Sequence, residues 1–158
     1  MDDIAYINTP LGITKIVGTT EGISSITVLD TEEKLTDIIP ESLEDAVYQL
    51  NEYFEGVRTE FQLDLNPEGT PFQKKVWLQL QQIPYGRTTS YLEVAKLIGD
   101  VKAIRAAASA NARNPIWIVI PCHRVIGIDG DLTGYAGGLH RKKWLLEHES
   151  PHKQQSLF

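Results

Sequence analysis

The stretch Ser90–Arg113, "SYLEVAKLIGDVKAIRAAASANAR", decides the fold of the second half of this chain. Ser90-x-x-Glu93 has the pattern of a capping box and predicts a helix start. Gly99 predicts its end, because a left-handed residue closes a helix and glycine adopts that conformation without strain. After Gly99-Asp100, "KAIRAAASANAR" reads as a second short helix. Helix, tight glycine turn, helix is the outline of a helix-turn-helix. In the second helix Ile104, Ala107, Ala108 and Asn111 share one face, while Lys102, Arg105, Ala106, Ser109 and Arg113 share another. The second face sets three cations among very small side chains, which suits close approach to a nucleic-acid backbone. The competing reading is an alanine-rich helix packed tightly in a core, and the cations weigh against it.

Upstream of this stretch, "NPEGTP" at 66–71 is the linker candidate. Thr70 and Pro71 predict a helix start, as N-cap and first-turn proline. Phe72, Val76, Trp77 and Leu80 give that helix its apolar stripe, and Pro84-Tyr85-Gly86 stops it. The first half reads as strands followed by one helix. "GITKIVGTT" and "GISSITVLD" are rich in β-branched residues and flank the hairpin signal Glu21-Gly22. In "SLEDAVYQLNEYFEG", Leu43, Ala46, Val47, Leu50, Tyr53 and Phe54 fall on one helical face, with Ser42 as cap and Gly56 as terminator. "FQLDL" alternates like a half-buried strand. Downstream, "IWIVI" reads as a buried strand and "RVIGIDGDLTGY" as a β-hairpin turning at Asp129-Gly130, the wing of a winged-helix module. "HRKKWLLEHE" is a short helix ending near Glu149. The expected organisation is an α/β first domain over 1–66, a winged-helix domain over 70–150 and a frayed tail over 151–158.

A chain of 158 residues buries a real core without staples. No apolar run is long enough to span a bilayer, so no membrane partner is expected. "MDDIAYINTPLG" lacks the basic and apolar regions of a signal peptide, and a single cysteine makes no internal disulfide. Both point to a reducing compartment, cytoplasmic or nuclear, and the cytoplasm is the expectation. The net charge of −6 hides a split: residues 1–69 hold 3 Lys and Arg against 15 Asp and Glu, whereas 70–158 hold 12 against 6. One reading is an acidic half that avoids polyanions beside a basic half that meets one. The other is two solvated surfaces of opposite sign attracting each other.

The one thiol, Cys122, sits in "NPIWIVIPCHRVIGIDG", between Pro121 and His123. A lone cysteine is commonly an inert buried hydrophobe. Its neighbours argue for reactivity, since an imidazole or a cation such as Arg124 favours thiolate. On an extended strand adjacent residues face opposite ways, so His123 would reach the sulfur through a water. Such a base needs an orienting group, and Glu147 and Glu149 are the carboxylates available downstream. Three functions fit these pieces: a cysteine hydrolase, a thiol acting on DNA held by the basic module, and a winged-helix regulator with an incidental cysteine.

"IPCHRV" resembles the active-site signature of the O6-alkylguanine-DNA alkyltransferases, the methylated-DNA–protein-cysteine methyltransferases. "GTPFQKKVWLQLQQIPYGRTTSY", "RAAASANARNPI", "DGDLTGYAGGL", "KKWLLEHE" and "YFEGVRTEFQL" resemble that family in its order and spacing, over roughly residues 48–149. The resemblance implies a ribonuclease-H-like α/β first domain and a winged-helix second domain. It implies a DNA repair protein that flips O6-alkylguanine, and also O4-alkylthymine, out of duplex DNA. The alkyl group would pass irreversibly to Cys122, one transfer per molecule, with no cofactor and the protein acting as a monomer. His123 would be the water-linked base and Glu149, matching the end of the family's "LLxHE" pattern, its orienting residue. Asn114 would tie the helix-turn-helix to the active-site strand, and Tyr91 would help protonate the departing guanine. Val125, Tyr135 and Ala136 would line the base pocket; the family often has serine where Ala136 stands. Phe72, Lys102, Arg105, Ala106, Ser109 and Arg113 would meet DNA from the minor groove, with Arg105 filling the vacated stack. Some relatives hold zinc in the first half. Here every histidine lies at 123 or later and no second cysteine exists, so no tetrahedral cysteine and histidine site forms there.

Overall fold

The computed structural model describes residues 2–127 and 135–151. It divides into two compact units: Met1–Glu68 with Pro115–Trp117, and Gly69–Asn114 with Ile118–Phe158. The expected wing turn at Asp129-Gly130 and residues 152–158 of the expected tail lie outside the described residues.

In the first unit β1 (Asp3–Thr9), β2 (Gly12–Thr19) and β3 (Gly22–Val28) form an antiparallel meander. Alternation puts Ala5, Ile7, Ile16, Ile26 and Val28 in the core. A bulge between Val17 and Gly18 shifts the β2–β3 register. Helix α1 (Glu44–Phe54) buries Ala46, Gln49, Leu50 and Tyr53, and Tyr53 meets the Phe54 and Phe61 rings at 5.3 and 5.6 Å. Ser42 does not cap this helix. It sits in a 3₁₀ turn, Glu41–Leu43, and its hydroxyl donates to the Asp3 carboxylate. "FQLDL" is not a full strand either. Leu65 alone bridges to Ile23, because the buried Gln49 amide takes both Gln62 backbone groups, at 3.1 and 2.9 Å.

In the second unit α2 (Pro71–Leu80) starts at a complete capping box between Thr70 and Gln73. Its Trp77 is buried and donates its indole N–H to Ala110 O at 2.8 Å. That bond ties α2 to α4 (Ile104–Ala112), which follows α3 (Tyr91–Leu97). Gly69 must be glycine, since a Cβ there would stand 2.5 Å from the Trp77 ring. Ser90 caps α3 by accepting from Glu93 N–H at 3.1 Å, but the Glu93 carboxylate turns to Lys96 instead of closing the box. Gly99 makes the turn at φ 97°, and the Asp100 carboxylate accepts from Lys102 N–H. Helix α4 buries Ala107, Ala110 and Asn111; Ile104, expected inside, is exposed. Strands β4 (Thr89–Ser90) and β5 (Val125–Ile126) pair in parallel. Helix α5 (Leu139–Glu149) closes the unit.

The run "IWIVI" buries Ile116, Ile118 and Ile120, leaves Trp117 and Val119 half-buried, and is not a strand. Pro115 O and Trp117 N pair with Ile26 in the first unit, both at 2.9 Å. The chain then reverses at Ile118, buried at φ 75°. A β-branched residue in that region carries strain of order 1–3 kcal/mol. The Asn114 side chain spans the reversal, donating to Ile120 O at 2.8 Å.

Candidate active site

Cys122 is the first residue of a 3₁₀ turn, Cys122–Arg124, rather than part of an extended strand. The reversal at Ile118 and the Asn114 bond to Ile120 O deliver the chain to this turn. Cys122 N–H donates to Ile120 O at 2.8 Å and Arg124 N–H to Pro121 O at 3.0 Å. Asn111 reaches Cys122 O from α4 at 3.4 Å. The thiol is 4 % exposed. The sequence expectation that neighbours hold it low does not stand. Burial pushes the thiol up to about 11, against the weaker pull of an Asn114 hydrogen bond and the Lys142 charge.

His123 is fully buried and its Nε2 lies 2.8 Å from Glu149 Oε2. Glu149 comes from the last turn of α5, on the face that also buries Leu145 and Lys142. Glu147 is not on this face; it is exposed and stands 4.0 Å from Lys143. Burial pushes the Glu149 carboxyl up, but the His123 and Arg124 contacts outweigh it and hold it well below the usual carboxylate range. Burial pushes His123 down, against the pull of Glu149. The ring is therefore neutral and the carboxylate ionised near pH 7. With Glu149 accepting at Nε2, the ring hydrogen sits on Nε2 and the lone pair on Nδ1. Among the described residues, no group bonds Nδ1.

Two side chains that the sequence did not place in the site join it. Arg124, read from sequence only as a nearby cation, is buried and bonds both Glu149 oxygens, at 2.8 and 3.0 Å, and Ile83 O at 2.7 Å. Lys142 is fully buried and donates to Val125 O at 2.6 Å. Burial draws its ammonium down to about 8, opposed by the Cys122 charge. The i, i+3, i+7 spacing of Lys142, Leu145 and Glu149 was the available signal.

Of the expected pocket residues, Val125 and Tyr135 are buried and Ala136 is exposed in the turn before α5. Burial raises the Tyr135 hydroxyl, as does the Cys122 charge. Tyr91 is half-buried at the start of α3, one residue past Ser90, which pairs with Ile126. Lys102, Arg105, Ala106, Ser109 and Arg113 are all exposed on the α4 segment, and Phe72 is half-buried in the first turn of α2.

A buried thiol, a neutral imidazole with its far nitrogen on a carboxylate, and an exposed cationic helix can together bind a polyanion and displace a carbon-bound leaving group. The comparisons with known proteins agree. Residues 71–151 match the DNA-binding domain of 6-O-methylguanine DNA methyltransferase, and residues 4–67 match its ribonuclease-like domain. A methylated-DNA–protein-cysteine methyltransferase of Methanosarcina acetivorans is 45% identical over 152 residues, 92% of this chain and 96% of that one. The crystal structure of Mycobacterium tuberculosis O6-methylguanine methyltransferase superposes with TM-score 0.84 at 40% identity, covering 100% of both chains. A Mycobacterium tuberculosis OGT structure in complex with DNA gives TM-score 0.82 at 42% identity, covering 97% of this chain and 98% of that one. With both domain models matched in order and relatives of this identity along nearly the whole chain, the protein belongs to the 6-O-methylguanine DNA methyltransferase family.

Proposed function

We propose that this chain repairs duplex DNA by moving the alkyl group of O6-alkylguanine, and of O4-alkylthymine, onto Cys122 in one irreversible step. The observation that carries the reading is the buried Cys122 beside a neutral His123 whose Nε2 is held by Glu149. The thiol proton passes to His123 Nδ1 through a water. Sγ attacks the alkyl carbon, the S–C bond forms and the C–O6 bond breaks. Guanine leaves after taking a proton, in which Tyr91 assists. The product is a thioether, and no second cysteine exists to resolve it. Asn114 supports the thiol directly, and Val125, Tyr135 and Ala136 surround the flipped base. Removing the base from the stack is required because the thiol is buried.

DNA lies along the exposed face of Lys102, Arg105, Ala106, Ser109 and Arg113, with Phe72 at its edge. Arg105 fills the gap the base leaves. Among the described residues no helix is long and apolar enough to cross a membrane. We place the protein in the cytoplasm, acting as a monomer, with residues 1–66 as scaffold and 70–150 as the DNA-binding and reactive domain.

Intact-protein mass spectrometry with excess O6-methylguanine duplex tests the reading. One methyl group should appear per molecule, on Cys122, and none on Cys122→Ser, which should still bind duplex. More than one repaired base per protein molecule would favour a hydrolytic mechanism and refute this one.

A further inference from the structure

Arg124 is 6 % exposed and lies over the Tyr85 ring, 5.8 Å from its centroid. Its three bonds go to three different atoms. Nε donates to Glu149 Oε1 at 2.8 Å, Nη2 to Glu149 Oε2 at 3.0 Å, and Nη1 to Ile83 O at 2.7 Å. The first two form a fork on the carboxylate, which fixes both its plane and its rotation. The third braces the guanidinium from the segment between α2 and β4. Oε2, one tine of the fork, is also the oxygen that meets His123 Nε2.

A carboxylate held only by His123 could turn about its own bonds and present either oxygen. Held by the fork, it cannot turn without leaving Arg124 N–H groups unsatisfied in a buried site. An arginine also stays charged at every accessible pH, so it never releases the carboxylate by titration. Glu149 thus stays anionic, carries no hydrogen to donate, and leaves His123 only one way to bond it.

We propose that Arg124 is a positioning residue for alkyl transfer: its fork on Glu149, braced by Ile83 O, keeps His123 in the tautomer whose Nδ1 lone pair takes the thiol proton. This rests on the relay described above.

The charges around the ring give the role a second component. His123 faces Glu149 and Lys142 from α5, and Arg124 and Cys122 from its own turn; Tyr85 flanks Glu149 and Arg124. Glu149 favours the imidazolium, whereas Arg124 and Lys142 oppose it. Without Arg124 the ring loses one of the two cations that oppose its protonation, so it takes a proton more readily. The alternative is a staple that only joins the end of α5 to the reactive turn.

Single-turnover transfer from O6-methylguanine duplex, measured against pH and expressed per folded molecule, separates the two. Arg124→Gln should be about tenfold slower at neutral pH, its acid limb moving to higher pH, and should recover in alkali. Arg124→Lys keeps the charge without the fork, so it should be slower with a midpoint nearer the parent. If both variants lower the unfolding temperature but keep the parental rate and midpoint, Arg124 is a staple and the proposal is overturned. Should Arg124→Gln not fold, Arg124→Lys decides: a parental rate per folded molecule overturns the proposal and a reduced one supports it. His123→Ala runs alongside. If it transfers normally, the relay itself fails. If it is slow while both Arg124 variants behave as the parent, the relay stands and only the role of Arg124 falls.

Discussion

Glu149→Gln is the most informative single substitution, because it changes charge and donor pattern while preserving shape. The carboxylate accepts from His123 Nε2 at 2.8 Å, Arg124 Nε at 2.8 Å and Arg124 Nη2 at 3.0 Å. A glutamine has one acceptor oxygen and one NH₂ group, and two ways to place them. With the amide nitrogen at the Oε2 position, it opposes Arg124 Nη2, and His123 avoids a second clash by shifting its hydrogen to Nδ1. That tautomer has no lone pair for the thiol proton. With the nitrogen at the Oε1 position, it opposes Arg124 Nε, and His123 keeps its tautomer but loses the anion that stabilises imidazolium. Either way a buried cation has lost its counter-charge, which costs about 3–5 kcal/mol of stability. Loss of general-base assistance slows transfer by roughly 10²–10⁴-fold per folded molecule at neutral pH. The deficit should shrink as pH approaches about 11, where the Cys122 thiol ionises unaided. The assay is rapid-quench transfer from O6-methylguanine duplex, with the folded fraction taken from thermal unfolding. A lowered unfolding temperature with an unchanged rate per folded molecule would refute the reasoning and make Glu149 a structural anchor.

Glu147→Gln should transfer at the parental rate and change stability by less than about 0.5 kcal/mol, because its ion pair with Lys143 is long and exposed; a rate loss would reverse the choice of carboxylate. Gly69→Ala should destabilise by about 1–3 kcal/mol in thermal unfolding. Its Cβ would stand 2.5 Å from a Trp77 ring that the indole bond to Ala110 O keeps in place. Thermal stability should fall as pH drops below the ordinary histidine value of 6.5, since the unfolded chain then protonates His123 while the buried ring resists. The fall should continue below about 4.5, where the stabilisation from the depressed Glu149 carboxyl is lost progressively; an unfolding temperature constant from neutrality to pH 4 would contradict both. Arg105→Ala should impair repair more than binding to undamaged duplex; equal losses, with the salt slope of binding reduced by about one unit, would make Arg105 a phosphate contact only.

Local signals in the sequence proved the most readable. Thr70-Pro71, Ser90 and Gly99 act through their own backbone neighbours, so the start of α2, both ends of α3 and the turn before α4 were legible; the end of α2, which falls at Leu80 before the expected stop at Pro84-Tyr85-Gly86, was not. Signals that depend on distant partners were not. The apolar run at 116–120 says that these residues are buried, but nothing in it shows that Asn114 takes the Ile120 carbonyl. Ser42 has the chemistry of a cap, yet Asp3 lies closer to hand. In the site, Cys122 and His123 stood out by type and adjacency. Glu147 and Glu149 were tied on composition, and only the family resemblance separated them. The helix itself held the answer: Glu149 is one turn beyond the buried Leu145, while Glu147 is one turn beyond the exposed Lys143. Arg124 and Lys142 were missed as site members because cations are ordinarily surface residues, and burial is a property of packing that a single sequence does not print.

The burial of Cys122 bears on how such a protein survives in storage. With its ordinary value of 9.0 raised to about 11, the thiol carries roughly a hundredfold less thiolate at neutral pH than an exposed one. Peroxides and small soluble electrophiles react with thiolate in proportion to its amount and its exposure. A reagent that acts once is removed from service by any such encounter. The fold therefore keeps the sulfur dormant toward whatever diffuses past. Shelf life thus follows from the burial of one sulfur atom.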